Sequence, residues 1–203
     1  MEDMTSRILD TIREWGRGKI FFPEDFSSFP SPGLVRLTLM NLTDDGIIVR
    51  LARGVYCYPE LEGGHSSRMV IPGPETIALA VAGRKGMRIA EYGDRAAFDL
   101  GLSGARVTDL MYLTDGAPRR VCLSGGRMIV FNHTSEVKMF GYRSPLMQKV
   151  VSAVRFLGEE AIDDRRRLAI SSHLRKIDDA DFSHDISLPP VWVQRMLKEL
   201  RDR

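Results

Sequence analysis

At 203 residues, the chain has room for one large domain or two small ones, and 29 Lys and Arg against 27 Asp and Glu leave a formal charge of only +2. A hydrophobic content of 43% with evenly mixed charge excludes a disordered chain, and the longest apolar run, residues 77–82, is far too short for a membrane-spanning helix. The acidic start Met1-Glu2-Asp3 and two cysteines without metal-ligand spacing predict a reduced, cytoplasmic setting, with Cys57 and Cys122 as small core hydrophobes.

In chain order, residues 6–15 place Ile8, Leu9, Ile12 and Trp15 at helical spacing, one apolar stripe on a polar rod. Gly16 and Gly18 end it. Ile20-Phe21-Phe22 reads as a short extended piece, and Pro23-Glu24-Asp25-Phe26 opens a brief second helix with proline in its first turn. Phe26 and Phe29 are expected to close a core over the first helix. A third helix begins at Ser31-Pro32, Ser31 as cap and Pro32 as first helical residue. Its inward face is Val35, Leu39 and Leu42; its outward face carries Arg36, Leu37, Met40 and Asn41. Asp44-Asp45-Gly46 stops the helix. Residues 47–51 and 55–58 are β-branched and aromatic and read as strands around a tight turn at Arg53-Gly54.

Three helices followed by a two-strand hairpin outline a winged helix-turn-helix over residues 1–60, a fold that mostly holds double-stranded DNA. The outward face of the third helix suits a major groove. Arg36 can bond guanine, Asn41 can bond adenine, and Leu37 or Met40 can touch a thymine methyl. Arg50 and Arg53, along and at the tip of the hairpin, stand where a wing meets phosphate, and Lys19 extends the same cationic strip. Two plainer readings stand beside this one. Leu37 and Met40 also suit packing against a second domain or a dimer partner, and three arginines also suit an ordinary solvated face. The charge balance favours the plainer readings: residues 1–64 hold seven Lys and Arg against ten Asp and Glu, a net −3.

Residues 61–73, rich in turn formers, read as a linker. Beyond them, 75–83 is a short apolar helix, 87–90 a strand and 94–100 a helix stopped by Gly101. The extended stretches 110–114, 120–123 and 128–133 then form an antiparallel meander with turns at Asp115-Gly116-Ala117-Pro118 and Ser124-Gly125-Gly126. Helices follow at 145–157, 164–176 and 190–200, the last with Trp192, Met196 and Leu200 on one face. Residues 74–203 are therefore expected to be a mixed domain: a small antiparallel sheet with carboxy-terminal helices. The whole is α+β.

Enzymatic readings are weaker. Asp115 with Glu136-Val137-Lys138 echoes the spaced carboxylates and lysine of metal-dependent nucleases. A Glu-x-Lys triplet arises by chance about once in a chain of this composition, and Asp115 sits where turns favour Asp. His65, His133, His173 and His184 are scattered, with His184-Asp185 in a polar loop. Ser66, Ser67 and Ser124 lack a nucleophile elbow, and the glycine-rich stretches 83–86 and 124–127 lack the features of a phosphate loop. No catalytic residue, metal or cofactor is expected. Arg165, Arg166, Arg167, Arg175 and Lys176 fall on the helix at 164–176. They are read as a solvated face or, more sharply, as a docking surface for flanking DNA or an acidic protein partner.

Several blocks also resemble a known family. Gly18-Lys19-Ile20-Phe21, Pro23-Glu24-Asp25-Phe26, Val35-Arg36-Leu37-Thr38-Leu39 with Leu42, Gly46-Ile47-Ile48, and residues 50–59 resemble the AbiEi-type antitoxins. They are closer still to a related bacterial family with the same winged-helix head. The resemblance continues through Ala96-Ala97-Phe98-Asp99-Leu100-Gly101-Leu102 and Tyr112-Leu113-Thr114-Asp115-Gly116 and fades after about residue 158. It implies a bacterial, cytoplasmic antitoxin of a phage-defence toxin–antitoxin system. Such a protein represses its own promoter, as monomer or homodimer on DNA, and counteracts a nucleotidyltransferase-like toxin from the neighbouring gene. Arg36, Arg50 and Arg53 fall within the matching blocks and carry over as DNA contacts. The alternatives left open are a protein-interaction module, a winged-helix regulator without a toxin, and the nuclease.

Overall fold

The computed structural model describes residues 4–63, 68–104, 107 and 109–202. It is an α+β structure that divides into two compact units, residues 1–81 with 121–127, and residues 82–120 with 128–203.

The first unit begins with helix α1 (Met4–Trp15), strand β1 (Ile20–Phe21), a 3-10 turn (Pro23–Phe26) and helix α2 (Pro32–Asp44). Strands β2 (Val49–Ala52) and β3 (Val55–Cys57) follow. The three strands form one antiparallel sheet in the order β1-β3-β2, with Phe21 opposite Tyr56 and Arg50 opposite Tyr56 on the other side. Period-3.6 apolar residues decide the packing: Ile8 and Ile12 from α1, Val35, Leu39 and Leu42 from α2, and Phe21, Phe26, Ile48 and Tyr56 share one core. Trp15 and Phe26 meet at 5.0 Å and Phe21 crosses Phe26 edge-on at 5.9 Å, so the aromatics lock the turn onto α1. The expected second helix is a single 3-10 turn. Asp25 caps it by accepting the Phe22 N–H at 2.8 Å.

The stretch 61–73, read as a linker, contains ordered pairing. Strands β4 (Glu60–Glu62) and β5 (Arg68–Val70) are antiparallel, with Leu61 opposite Met69. Gly64, His65, Ser66 and Ser67, singled out above, lie outside the described residues. Helix α3 (Pro74–Arg84) follows, and the first unit extends through its residue Val81.

The second unit contains strand β6 (Ile89–Glu91), helix α4 (Asp94–Asp99), and strands β7 (Leu110–Thr114), β8 (Arg119–Cys122) and β9 (Met128–His133). The last residues of β8 and the turn after it group with the first unit. The sheet is not the expected antiparallel meander. Its order is β6-β7-β9-β8, and β7 runs parallel to β9, with Leu110 opposite Ile129 and Tyr112 opposite Phe131. Burial explains the arrangement. Strand β7 buries Leu110, Tyr112 and Thr114 and β9 buries Ile129 and Phe131, so these two need covered central places. Strand β8 buries only Val121 among Arg119, Arg120 and Cys122, and takes an edge. Cys122 is accordingly exposed, not a core residue; Cys57 is buried as expected.

Helices α5 (Pro145–Leu157), α6 (Asp164–Leu174), α7 (Asp179–Asp185) and α8 (Val191–Arg201) complete this unit. Their core joins Met147, Val150 and Val154 of α5, Ile170 and Leu174 of α6, and Val193, Met196 and Leu197 of α8. Helix α7 corrects the polar-loop reading of His184-Asp185. Asp178 caps it by accepting the Ala180 N–H, and Asp185, fully buried, accepts the Arg143 and Ser144 N–H groups at 2.9 Å each. Asp185 thereby ties α7 to the residues that start α5. No helix among the described residues is long and apolar enough to cross a membrane.

Candidate nucleic-acid interface

Helix α2 is set by its ends. The Ser31 hydroxyl accepts the Leu34 N–H at 3.3 Å and Pro32 supplies a helical φ without needing an amide partner. At the far end the Asp45 N–H donates to Asn41 and the Ile47 N–H to Leu42, which turns the chain towards β2. With Val35, Thr38, Leu39 and Leu42 buried, the opposite face is fixed by the 3.6-residue period. Arg36, Leu37, Met40 and Asn41 are all exposed there, Leu37 at 47% and Met40 at 51%. Half-covered side chains of that size leave an apolar surface between two polar groups, which is what a base edge with a methyl group requires. Arg36 also lines a cleft of about 300 Å³ with Pro23, Glu24, Phe26, Ser27 and Pro32.

The hairpin is equally constrained. Ala52 faces Val55, so Arg53 and Gly54 alone form the turn. Gly54 has φ +72°, a left-handed conformation that a β-carbon would strain. Strand β3 is fully buried, whereas Arg50 on β2 and Arg53 in the turn are exposed. Lys19, also exposed, precedes β1, where its carbonyl accepts the Tyr58 N–H. Among the described residues, the side chains of Lys19, Arg36, Arg50 and Arg53 make no hydrogen bond or ion pair. Their neighbours in sequence behave differently. Arg17 donates to the Pro59 carbonyl at 2.8 Å and stacks over Tyr58, Arg13 pairs with Asp10, and Arg7 lies over Phe29.

One further cation belongs with this set and was not anticipated. In the β8–β9 turn, Leu123 bridges to Ala52, and the Ser124 hydroxyl donates to the carbonyls of Arg50 and Leu51. Arg127, exposed, then lines the same small cleft as Arg50. Only the Ser124-Gly125-Gly126 turn signal was legible; the local pattern says nothing of the strand on which the turn would rest.

The second cationic set is only partly open. Arg166 is committed internally, donating to the Leu102 and Ala161 carbonyls and pairing with Asp163. That correction follows from its half-buried place at the start of α6, where the carbonyls and the acidic cap converge. Arg165, Arg175 and Lys176 are exposed, and Arg167 is half-buried. The residues of the nuclease reading are engaged by arginines. Asp115 accepts from Arg88 through both oxygens, and Arg88 together with its backbone N–H holds this carboxyl below the usual range. Glu136 pairs with Arg155 at 2.9 Å. Among the described residues no group of three His, Cys, Asp or Glu could hold a metal ion. His133 and His173 bond the Gly116 and Leu100 carbonyls, and His184 contacts Asp185. Burial, with Glu60 nearby, pushes the Cys57 thiol up to about 11.

The chain belongs to DUF6088, a family of unknown function, which it matches over residues 7–182. The match spans both compact units and includes every α2 and hairpin residue discussed here. No curated protein and no solved structure matches the chain.

Proposed function

We propose that the chain is a DNA-binding antitoxin that represses its own promoter, with residues 4–59 acting as a winged helix-turn-helix. The observation that carries this reading is the set of uncommitted cations: Arg36 on the open face of α2, and Arg50 and Arg53 on the hairpin, without a carboxylate partner among the described residues. Element order and sheet order support it. A helix, a short strand, a helical turn, a second long helix and a hairpin, with β1 beside β3, are the order that a winged helix would have with α2 as its recognition element and the β2–β3 turn as its wing. In this reading Arg36 and Asn41 read base edges with Leu37 and Met40 between them, while Arg50, Arg53 and Lys19 hold phosphates. The nucleotidyltransferase-like toxin is supported by the family resemblance of the sequence blocks, and the cytoplasm is the compartment in which such a pair would act.

The test is a fluorescence-anisotropy titration of the full chain against its own upstream region and against random duplex of equal length. Tighter binding to the upstream region, with affinity falling steeply as salt rises, is the expected result. Weak binding without preference would reject the repressor. It would favour the second reading, a protein-interaction module, which rests on the exposed Leu34, Leu37 and Met40 of α2 and the acidic balance of residues 1–64. A nucleotidyltransferase in the adjacent gene that co-purifies with the chain would support the antitoxin assignment.

A further inference from the structure

The cleft shared by Arg50 and Arg127 is built differently from the rest of the surface. Its volume is about 110 Å³, and its walls come from four segments of the first unit: strand β2, residues 71–74, helix α3 and the β8–β9 turn. Most of the lining is apolar, including Val49, Leu51, Ile71, Pro72, Ile77 and Leu123, whereas its charged residues are both arginines. Among the described residues no carboxylate lines it. Both charged side chains at this apolar cleft are thus cationic, and each guanidinium is a fixed fork of N–H donors with no acceptor of its own. An anion in the cleft meets both charges, and the planar guanidinium matches a carboxylate with two parallel hydrogen bonds.

From this we infer that the cleft is a binding site for a small amphiphilic carboxylate, an organic acid with a short aliphatic or aromatic body. The arginines take the carboxylate and the Val49, Ile71, Ile77 and Leu123 walls take the apolar part. The size sets the upper limit: ligand pockets usually run from about 300 Å³ upward, so this one admits a body no larger than a single ring or a short chain. The wall itself is anchored, since Ser124 bonds the carbonyls of Arg50 and Leu51. The inference goes beyond the proposed function and meets it at one residue. Arg50 serves both the cleft and the wing, so an occupied cleft withdraws Arg50 from a phosphate.

Isothermal titration of the full chain with benzoate, hexanoate, benzamide and inorganic phosphate tests the site without DNA. Saturable binding of benzoate or hexanoate is expected, with benzamide and phosphate each at least about tenfold weaker, since one lacks the charge and the other the apolar body. Arg127→Ala should weaken benzoate about tenfold or more, and Arg127→Lys, which keeps the charge but not the fork, should fall between. Phosphate binding as tightly as benzoate, equal binding of benzamide, or unchanged affinity in a folded Arg127→Ala chain would each overturn the inference. So would the absence of any benzoate heat or shift in Tm. A second titration, benzoate against chain bound to upstream duplex, reads the coupling through Arg50. Failure of the chain to bind DNA would leave the first titration standing, and a failed first titration would leave DNA binding untouched.

Discussion

The two units differ in how many of their cations are tied to carboxylates. In the first, Lys19, Arg36, Arg50, Arg53 and Arg127 stand exposed without an ion pair among the described residues, although residues 1–64 are acidic in sum. In the second, which holds much of the positive excess, Arg88, Arg95, Lys149, Arg155, Arg195 and Arg201 are each tied to a carboxylate. Arg201 also bonds the carbonyls of Leu174 and Ile177, closing the ends of neighbouring helices. Summed charge therefore says little about where unpaired cations stand. What matters is where the unpaired guanidinium groups stand: one set lies on α2, the β2–β3 hairpin and the turn that rests on it, and another, with Arg165 and Arg175, lies on and just after α6.

That division of labour can be broken from the second unit first, where the largest effect is expected. Asp185 is buried and accepts two backbone N–H groups at the start of α5. Replacing it with Ala leaves the buried Ser144 N–H and the part-buried Arg143 N–H without this partner, a loss of about 3 kcal/mol. Urea denaturation should show this as a lowered midpoint, and Asp185→Asn should recover part of it by retaining one acceptor oxygen. Affinity for the upstream duplex, measured where the variant is still folded, should not move. A matching fall in DNA affinity would show that the units do not divide the work as described.

Substitutions in the first unit should do the reverse. Arg36→Ala is expected to cost about 1–3 kcal/mol at one base position and to relax preference there. Arg53→Ala should weaken every sequence alike and lower the salt slope by about one. Neither should change the urea midpoint much, because neither exposed side chain makes a hydrogen bond or ion pair among the described residues. Binding to duplexes with single base changes separates the two effects. Equal loss by Arg36→Ala on upstream and random DNA would move α2 out of the groove.

How far this contrast was legible beforehand depends on the range of the interaction involved. Helix α2 could be read because its determinants are local: the Ser31-Pro32 start, buried residues at 3.6-residue spacing, and an outward face that follows from them. The Arg53-Gly54 turn was local too. The parallel β7–β9 pairing was not, since a period of two reports which face a strand buries and not which strand lies beside it. Helix α7 was missed because its seven residues contain only Phe182 as a large apolar group. What identifies it is Asp185 bonding to amides some forty residues earlier. Arg127 escaped for the same reason: its place beside Arg50 depends on Ser124 and Leu123 docking onto β2. The unspent cations could be named from sequence, but their being unspent could not, because partners such as the Pro59 carbonyl for Arg17 are set by the fold.

The smallest expected effect concerns pH and sharpens the contrast from the other side. Lys149 of α5 bridges Asp99 of α4 and Glu91 of β6, at 2.9 and 3.2 Å, while Arg95 holds Asp99 from its own helix. Burial opposes ionisation of Asp99, but the hydrogen bonds and charges of Lys149 and Arg95 outweigh it and hold the carboxyl below its ordinary 3.8. Burial likewise opposes the charge on Lys149, and Asp99 and Glu91 overcome it to raise the amine above 10.5. A carboxyl depressed on folding stabilises fully above its unfolded value and loses that contribution as pH falls through the lower folded value; a raised amine does so below its unfolded value and loses it as pH rises through the higher one. This cluster therefore holds α4 on α5 at full strength between about pH 5 and 9 and weakens only at the extremes. Asp99→Asn should be slightly less stable than the parent at pH 7 and should converge with it as the pH falls below 4, by thermal melts in matched salt. The group is partly exposed, so screening keeps the difference small and added salt should shrink it further. Parallel curves at all pH values would mean that Lys149 pairs with Glu91 of β6 alone and that Asp99 contributes nothing to holding α4 on α5.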